Sequence, residues 1–126
     1  MPNPVNRTVD RRSLVIRGLG YDQRTIASGQ TVSRGDVLGI VSANGHLAVC
    51  DSAAVDGSQV ARAVAVRDVD AAGAAVTGIS VLTVGEVNGE LLTFGGSDTL
   101  ADHYDELRDV GIVANSYDGI GRVDNA

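Results

Sequence analysis

Val37-Leu38-Gly39-Ile40-Val41, then Ser42-Ala43-Asn44-Gly45, then His46-Leu47-Ala48-Val49-Cys50 is the stretch that decides the fold. Two apolar runs of strand length flank an Asn-Gly pair. Asn and Gly tolerate the positive φ of a type I′ turn, so the pattern predicts a β-hairpin. Further candidates lie on both sides. Leu14–Arg17 reads as a short strand closed by Gly18 and Gly20, and Arg24–Ala27 leads to a turn at Ser28-Gly29-Gln30. Val60–Arg67 alternates, with Val60, Arg62, Val64 and Val66 on one face, and Asp68–Gly73 reads as a turn. Ala74–Val87 is a long apolar stretch, and Asn88-Gly89 is a second hairpin signal that returns through Glu90–Phe94.

One helix stands out, at about residues 98–110. Ser97 or Asp98 can cap it, and Asp102 adds negative charge near the positive end of the helix dipole. Leu100, Tyr104, Leu107 and Val110 recur with helical spacing, and Gly111 is the expected stop. The fold class that follows is α+β, mostly β. It comprises a small barrel-like domain with one C-terminal helix and an extended N-terminal arm. The divisions expected are the arm at 1–13 and a single domain at 14–126 whose tail, 115–126, is polar.

The 126 residues suffice for one core. Apolar residues make up 44% of the chain, but Val and Ala dominate, and the aromatics are Tyr21, Phe94, Tyr104 and Tyr117. Small side chains bury little area each, so the core should be thin and oligomerisation would help it. The net charge of −6 argues against nucleic-acid and anionic-membrane partners. All ten cations are Arg, and Asp outnumbers Glu thirteen to three, usage that fits a GC-rich genome or a high-salt setting. A single Cys50 excludes an internal disulfide. No apolar run nears the roughly 20 residues that span a bilayer. The first residues have no apolar h-region, so the expectation is a protein made and used inside a cell, or inside something assembled there.

Missing chemistry narrows the function. Without Lys there is no P-loop lysine, Schiff base or biotinyl site, and no cofactor is expected. Gly18-Leu19-Gly20 lacks the third Gly of a dinucleotide fingerprint. His46 and Cys50 would be a metal pair on a helix, but along a strand four residues span roughly 13 Å, too far for one ion. His103, beside Asp102, reads as part of a solvated helix face. Asp68 and Asp70 could act as acid and base or bind a cation, yet Asp-Val-Asp before Ala-Ala-Gly is ordinary turn composition. Ser58 lies outside any G-x-S-x-G elbow. No catalytic or metal residue is therefore assigned. The arm is the best candidate for positive function: Pro2 and Pro4 oppose helix, Val5 and Val9 can fill pockets, and Arg7, Arg11 and Arg12 can pair with carboxylates. Such a segment can add a strand to a partner's sheet edge.

The order of phrases resembles the lambda-type phage head decoration protein family. Ser28–Gly39, with its Arg-Gly-Asp-Val-Leu-Gly ending, is similar to the family's opening signature. Arg62–Ala72 is similar to its strand and Asp-containing turn, Val84-Gly85-Glu86-Val87-Asn88 to a later strand, and Leu100 to Gly111-Ile112 to its helix. The resemblance covers roughly residues 26–114. It implies a protein without enzymatic activity that trimerises on the outer surface of a viral head, after synthesis in the host cytoplasm. There it would cement the major capsid protein lattice. The arm residues Pro4, Val5, Arg7, Thr8, Val9, Arg11 and Arg12 would extend a capsid-protein sheet. The tail after Ala114 is longer than the family pattern explains. The alternatives are a β-barrel ligand-binding or adhesin module on a virion, which needs a pocket of polar and aromatic groups, and an enzyme, which needs Asp68, Asp70, His46 and His103 in one cleft.

Overall fold

The computed structural model describes residues 14–115. Its strands are β1 (Val15–Ile26), β2 (Gln30–Val32), β3 (Val37–Ile40), β4 (Leu47–Val49), β5 (Ala63–Ala65), β6 (Val69–Ala71), β7 (Val76–Asn88) and β8 (Ile112–Asn115), with one α-helix, α1 (Leu100–Val110). The mostly β architecture and the single helix near the C-terminus match the sequence reading. Residues 1–13, the arm, and 116–126, most of the tail, lie outside the described residues.

Strands β1, β4, β3, β5 and β7 bond in that order, and β7 bonds back to β1, so the five form a ring. Four of the five contacts are antiparallel; β1 meets β4 in parallel at Ile26 and Leu47. One parallel contact is obligatory, because directions cannot alternate around an odd number of strands. β8 lies parallel to β7 on its other side, reached through α1 as a β-α-β crossover. The small β2–β6 sheet lies outside the ring.

The apolar pattern fills both sides of the ring. Ile26, Leu38, Leu47, Ala63, Ala65, Ile79 and Val81, drawn from all five strands, form the interior with Val32, Val69 and Ala71 of the small sheet. Their neighbours Val37, Val64 and Leu82 point the other way, where they meet Leu14, Cys50, Val87, Leu107, Ile112 and Ala114 under α1. Adjacent strand residues alternate between two cores, which is why Val37–Ile40 and Ala63–Ala65 read as continuously apolar.

Several local expectations change. Gly18 and Gly20 do not end the first strand; β1 runs through both, with register shifts on either side of Gly20. A Cβ on Gly18 would meet the ring of Tyr21, and one on Gly85 opposite would meet the Arg17 carbonyl, so these glycines allow close approach rather than chain reversal. The first hairpin exists, pairing Leu38 with Val49 and Ile40 with Leu47. Its turn is not type I′, since no non-Gly residue among those described has positive φ. Gly45, at φ 75°, donates to the Val41 carbonyl at 2.8 Å in a longer loop. Asn88-Gly89 makes no hairpin: Gly89–Leu91 is a 3-10 turn capped by the Asn88 side chain. Residues 69–71, expected in a turn, are strand β6. The helix starts later than expected, with Thr99 as N-cap, its backbone N–H donating to Asp102 at 2.8 Å. Gly111 ends it at φ 97°, as expected.

Gly39 sits in β3 against the backbone of Ser58, with no room for a Cβ. Gly39→Ala should destabilise the chain by about 1–3 kcal/mol through overpacking. Gly73→Ala, with nothing within 4 Å of its added carbon, should stay within about 0.5 kcal/mol. Thermal unfolding of the two variants checks the contrast.

Candidate functional site

The densest polar cluster lies between α1 and the barrel. The end of β4 places Cys50 under the helix, fully buried. From Cys50 the chain turns into the 51–59 loop, while Phe94 and Gly95 run alongside, Gly95 donating to the Cys50 carbonyl at 2.7 Å. Over this junction α1 lays His103, 1% exposed. Its Nε2 is 2.7 Å from Asp98 Oδ2 and its Nδ1 2.7 Å from Glu106 Oε1. Phe94 stacks on the ring at a centroid separation of 5.1 Å. Asp98 also accepts from the Ser52 amide at 2.6 Å and the Ser52 hydroxyl at 2.7 Å, and Glu106 accepts from the Ala61 amide at 2.8 Å.

Ionised carboxylates only accept, so a ring bonded to two of them carries protons on both nitrogens. Burial works against that charged form, but the hydrogen bonds to Asp98 and Glu106 outweigh it and raise the His103 pKa above 6.5. The same contact, with the Ser52 bonds, lowers the Asp98 pKa to about 2. Cys50 is pushed up to about 12, first by burial and then by the negative charge of Glu106, Asp98 and Asp51.

Cys, His and two acids together suggest a cysteine nucleophile or a metal centre, and Cys50, His103 and Glu106 do bring their ligand atoms within 4.8 Å of one another. The geometry fits neither. Cys50 Sγ lies 3.6 Å from Nδ1 and 3.8 Å from Nε2, nearly equidistant. A sulfur on the lone-pair axis of one nitrogen would stand about 2 Å farther from the other, given the width of the ring. Both nitrogens are already bonded to carboxylates, leaving no lone pair for an ion or a thiol proton. The buried thiol is also held protonated, the unreactive form.

Of the other sequence candidates, Asp68 and Asp70 line one surface depression, whose lining includes neither His46 nor His103. Asp68 accepts from the Arg34 amide, Asp70 from the Ala72 amide, and the His46 amide donates to Asn44 in the 42–45 loop. Ser58 is buried and bonds Asp56 beside it at 2.6 Å. His103 was expected on a solvated face, and the structure corrects this: the buried stripe is Leu100, His103, Leu107, Val110, with Tyr104 to one side. The signal was in the sequence, since position 103 lies between 100 and 107 on the same face. Among the described residues, two open surface depressions of about 320 and 310 Å³ occur, one lined by Arg17, Leu19, Glu86 and Val113, the other by Thr31, Asp68 and Asp70. Neither has an aromatic lining, as a ligand pocket of the expected kind would.

The second feature is a pole of the barrel. Leu14, the first described residue, accepts from the Asn88 amide at 2.8 Å, and Asn115, the last, pairs with Asn88 in register. Both ends of the chain therefore leave beside the end of β7. The arm candidates Pro4, Val5, Arg7, Thr8, Val9, Arg11 and Arg12 lie outside the described residues.

Residues 13–112 match the family model described as Bacteriophage lambda head decoration protein D. No curated protein matches the chain.

Native Cys50 should resist a thiol reagent such as iodoacetamide, reacting only as fast as the fold opens, and should react fully in denaturant. Rapid labelling of the native chain, read by mass spectrometry, would contradict its buried, protonated state.

Proposed function

From the premise that this chain belongs to the bacteriophage lambda head decoration protein D family, we propose that it cements an assembled head. It does so as a trimer on the outer surface, with residues 1–13 as a grip on the major capsid protein. The match over residues 13–112, most of the chain, carries the reading. A head decoration protein is a virion component that binds the capsid, and this role calls for no reaction, cofactor, nucleic acid or membrane.

Two features of the fold support the finer points. Leu14 and Asn115, where the described fold begins and ends, lie together beside Asn88 at the end of β7. Thirteen residues reach at most about 45 Å when extended, enough to lie along a neighbouring protein's sheet edge. There Pro4 suits an edge position, Val5, Thr8 and Val9 offer side chains to alternate faces, and Arg7, Arg11 and Arg12 pair with carboxylates. Leu19 is 68% exposed, Tyr21 50% and Val84 38%, all on β1 and β7. Contact with further copies would cover this apolar surface, in keeping with the small side chains of the core. The domain on this reading is 14–126, with 1–13 as a separate arm.

Deleting residues 1–12 should leave the circular dichroism spectrum and Tm almost unchanged. Affinity for expanded capsids should fall at least about tenfold, or 1.4 kcal/mol. Undiminished binding by the truncated protein, measured by co-sedimentation, would rule out the grip. Separately, cryo-microscopy of decorated heads should show three copies around a common axis; isolated single copies would remove the trimer while leaving capsid binding intact.

A further inference from the structure

The His103 cluster is more than an ion pair, because it joins parts of the chain that are far apart in sequence. His103 and Glu106 belong to α1, Asp98 to the turn before it, Ser52 to the loop after β4, and Ala61 to the segment before β5. Ser52 and Ala61 hold the two carboxylates from the 51–61 side, and the doubly protonated ring holds them from the helix side. With both protons on the ring, both nitrogens donate to carboxylates. Without the second proton, one nitrogen presents a lone pair to an ionised carboxylate at 2.7 Å, and that carboxylate loses one of its donors and keeps only those from Ser52 or Ala61.

We propose that His103 is a proton-operated latch: its doubly bonded imidazolium fastens α1 and the 51–61 segment to the barrel, and loss of the proton unfastens them.

Burial opposes the ring's charge, and the charged groups that bond it both favour it. Asp98 and Glu106 bond it, Cys50 beside it stays a neutral thiol on which Asp51 also acts, and Phe94 is uncharged. No cation among these groups competes for the two carboxylates. The sign of the pH dependence follows from the shifts. A raised His103 pKa means the latch is complete below the ordinary imidazole value of 6.5 and is lost as pH rises through the higher folded value. The lowered Asp98 pKa means its contribution is complete above 3.8 and is lost as pH falls through about 2. The latch is therefore fully closed at about pH 4–6 and opens on the alkaline side. The inference concerns the fold alone and stands whether or not the chain grips a capsid through its arm.

The test is a pH titration of the full chain from 6 to 10 by NMR, following the two histidine rings and the backbone amides together. His103 should titrate above 6.5, and amides of α1 and of residues 51–61 should shift with the same midpoint. Asp98→Asn should move that midpoint down. Tm of the wild type should fall by about 4 °C or more between pH 6 and pH 9. His46→Gln should keep that slope, and His103→Gln should be less stable at pH 6 and nearly flat across the range. Amides that ignore the His103 titration would overturn the latch, as would a wild-type slope retained by His103→Gln. If that variant does not fold, the wild-type amide titration decides alone.

Discussion

Five strands cannot close into a ring with every neighbour antiparallel. Somewhere two must run the same way, and here the joint is Ile26 against Leu47. Both side chains are fully buried in the ring interior, so the joint rests on packing more than on a long ladder. Everything else adapts to this closure. β1 and β7 are long because each must reach around the barrel, and their register shifts supply the bends that a small ring needs. Gly18, Gly20 and Gly85 lie at those bends.

The ring has a second core on its outside, and α1 covers it. Leu107 and Ile112 supply the apolar part of that cover. His103 occupies the centre of the same helical stripe, where an apolar side chain would be the simpler choice. A buried ion pair is a costly way to gain stability. What this one adds is direction: the ring aims Asp98 and Glu106 at the amides of Ser52 and Ala61, and those two bonds orient the helix in a way that rounded Leu and Val side chains do not.

The strands and the helix were legible because alternation and helical spacing are properties of single segments. Val37–Cys50 and Leu100–Gly111 each carry their own pattern. Turn chemistry was less faithful. Asn44-Gly45 reverses the chain, but Gly45 alone takes the positive φ, and Asn88-Gly89 serves a 3-10 turn. The same residues cap and reverse, so the dipeptide does not choose between these uses. The Gly18 and Gly20 break was misread because a bulged long strand and two short strands look alike without the partner strand. The His103 cluster was hidden for a different reason. Cys50, Ser52 and Ala61 lie 42 to 53 positions before His103, and no spacing rule links them. Only position 103 itself, within the helical stripe, pointed inward.

The place where residue 13 joins the barrel has a mechanical consequence. The arm continues directly into β1, which lies along β7 from Val15↔Val87 to Ile26↔Val76. A pull directed along β1 from its first residue would load the bonds of that ladder together in shear. Pulling one strand sideways off its neighbour would break the bonds one at a time, at much lower force. The start of β1 is thus a point at which the long β1–β7 ladder resists lengthwise load.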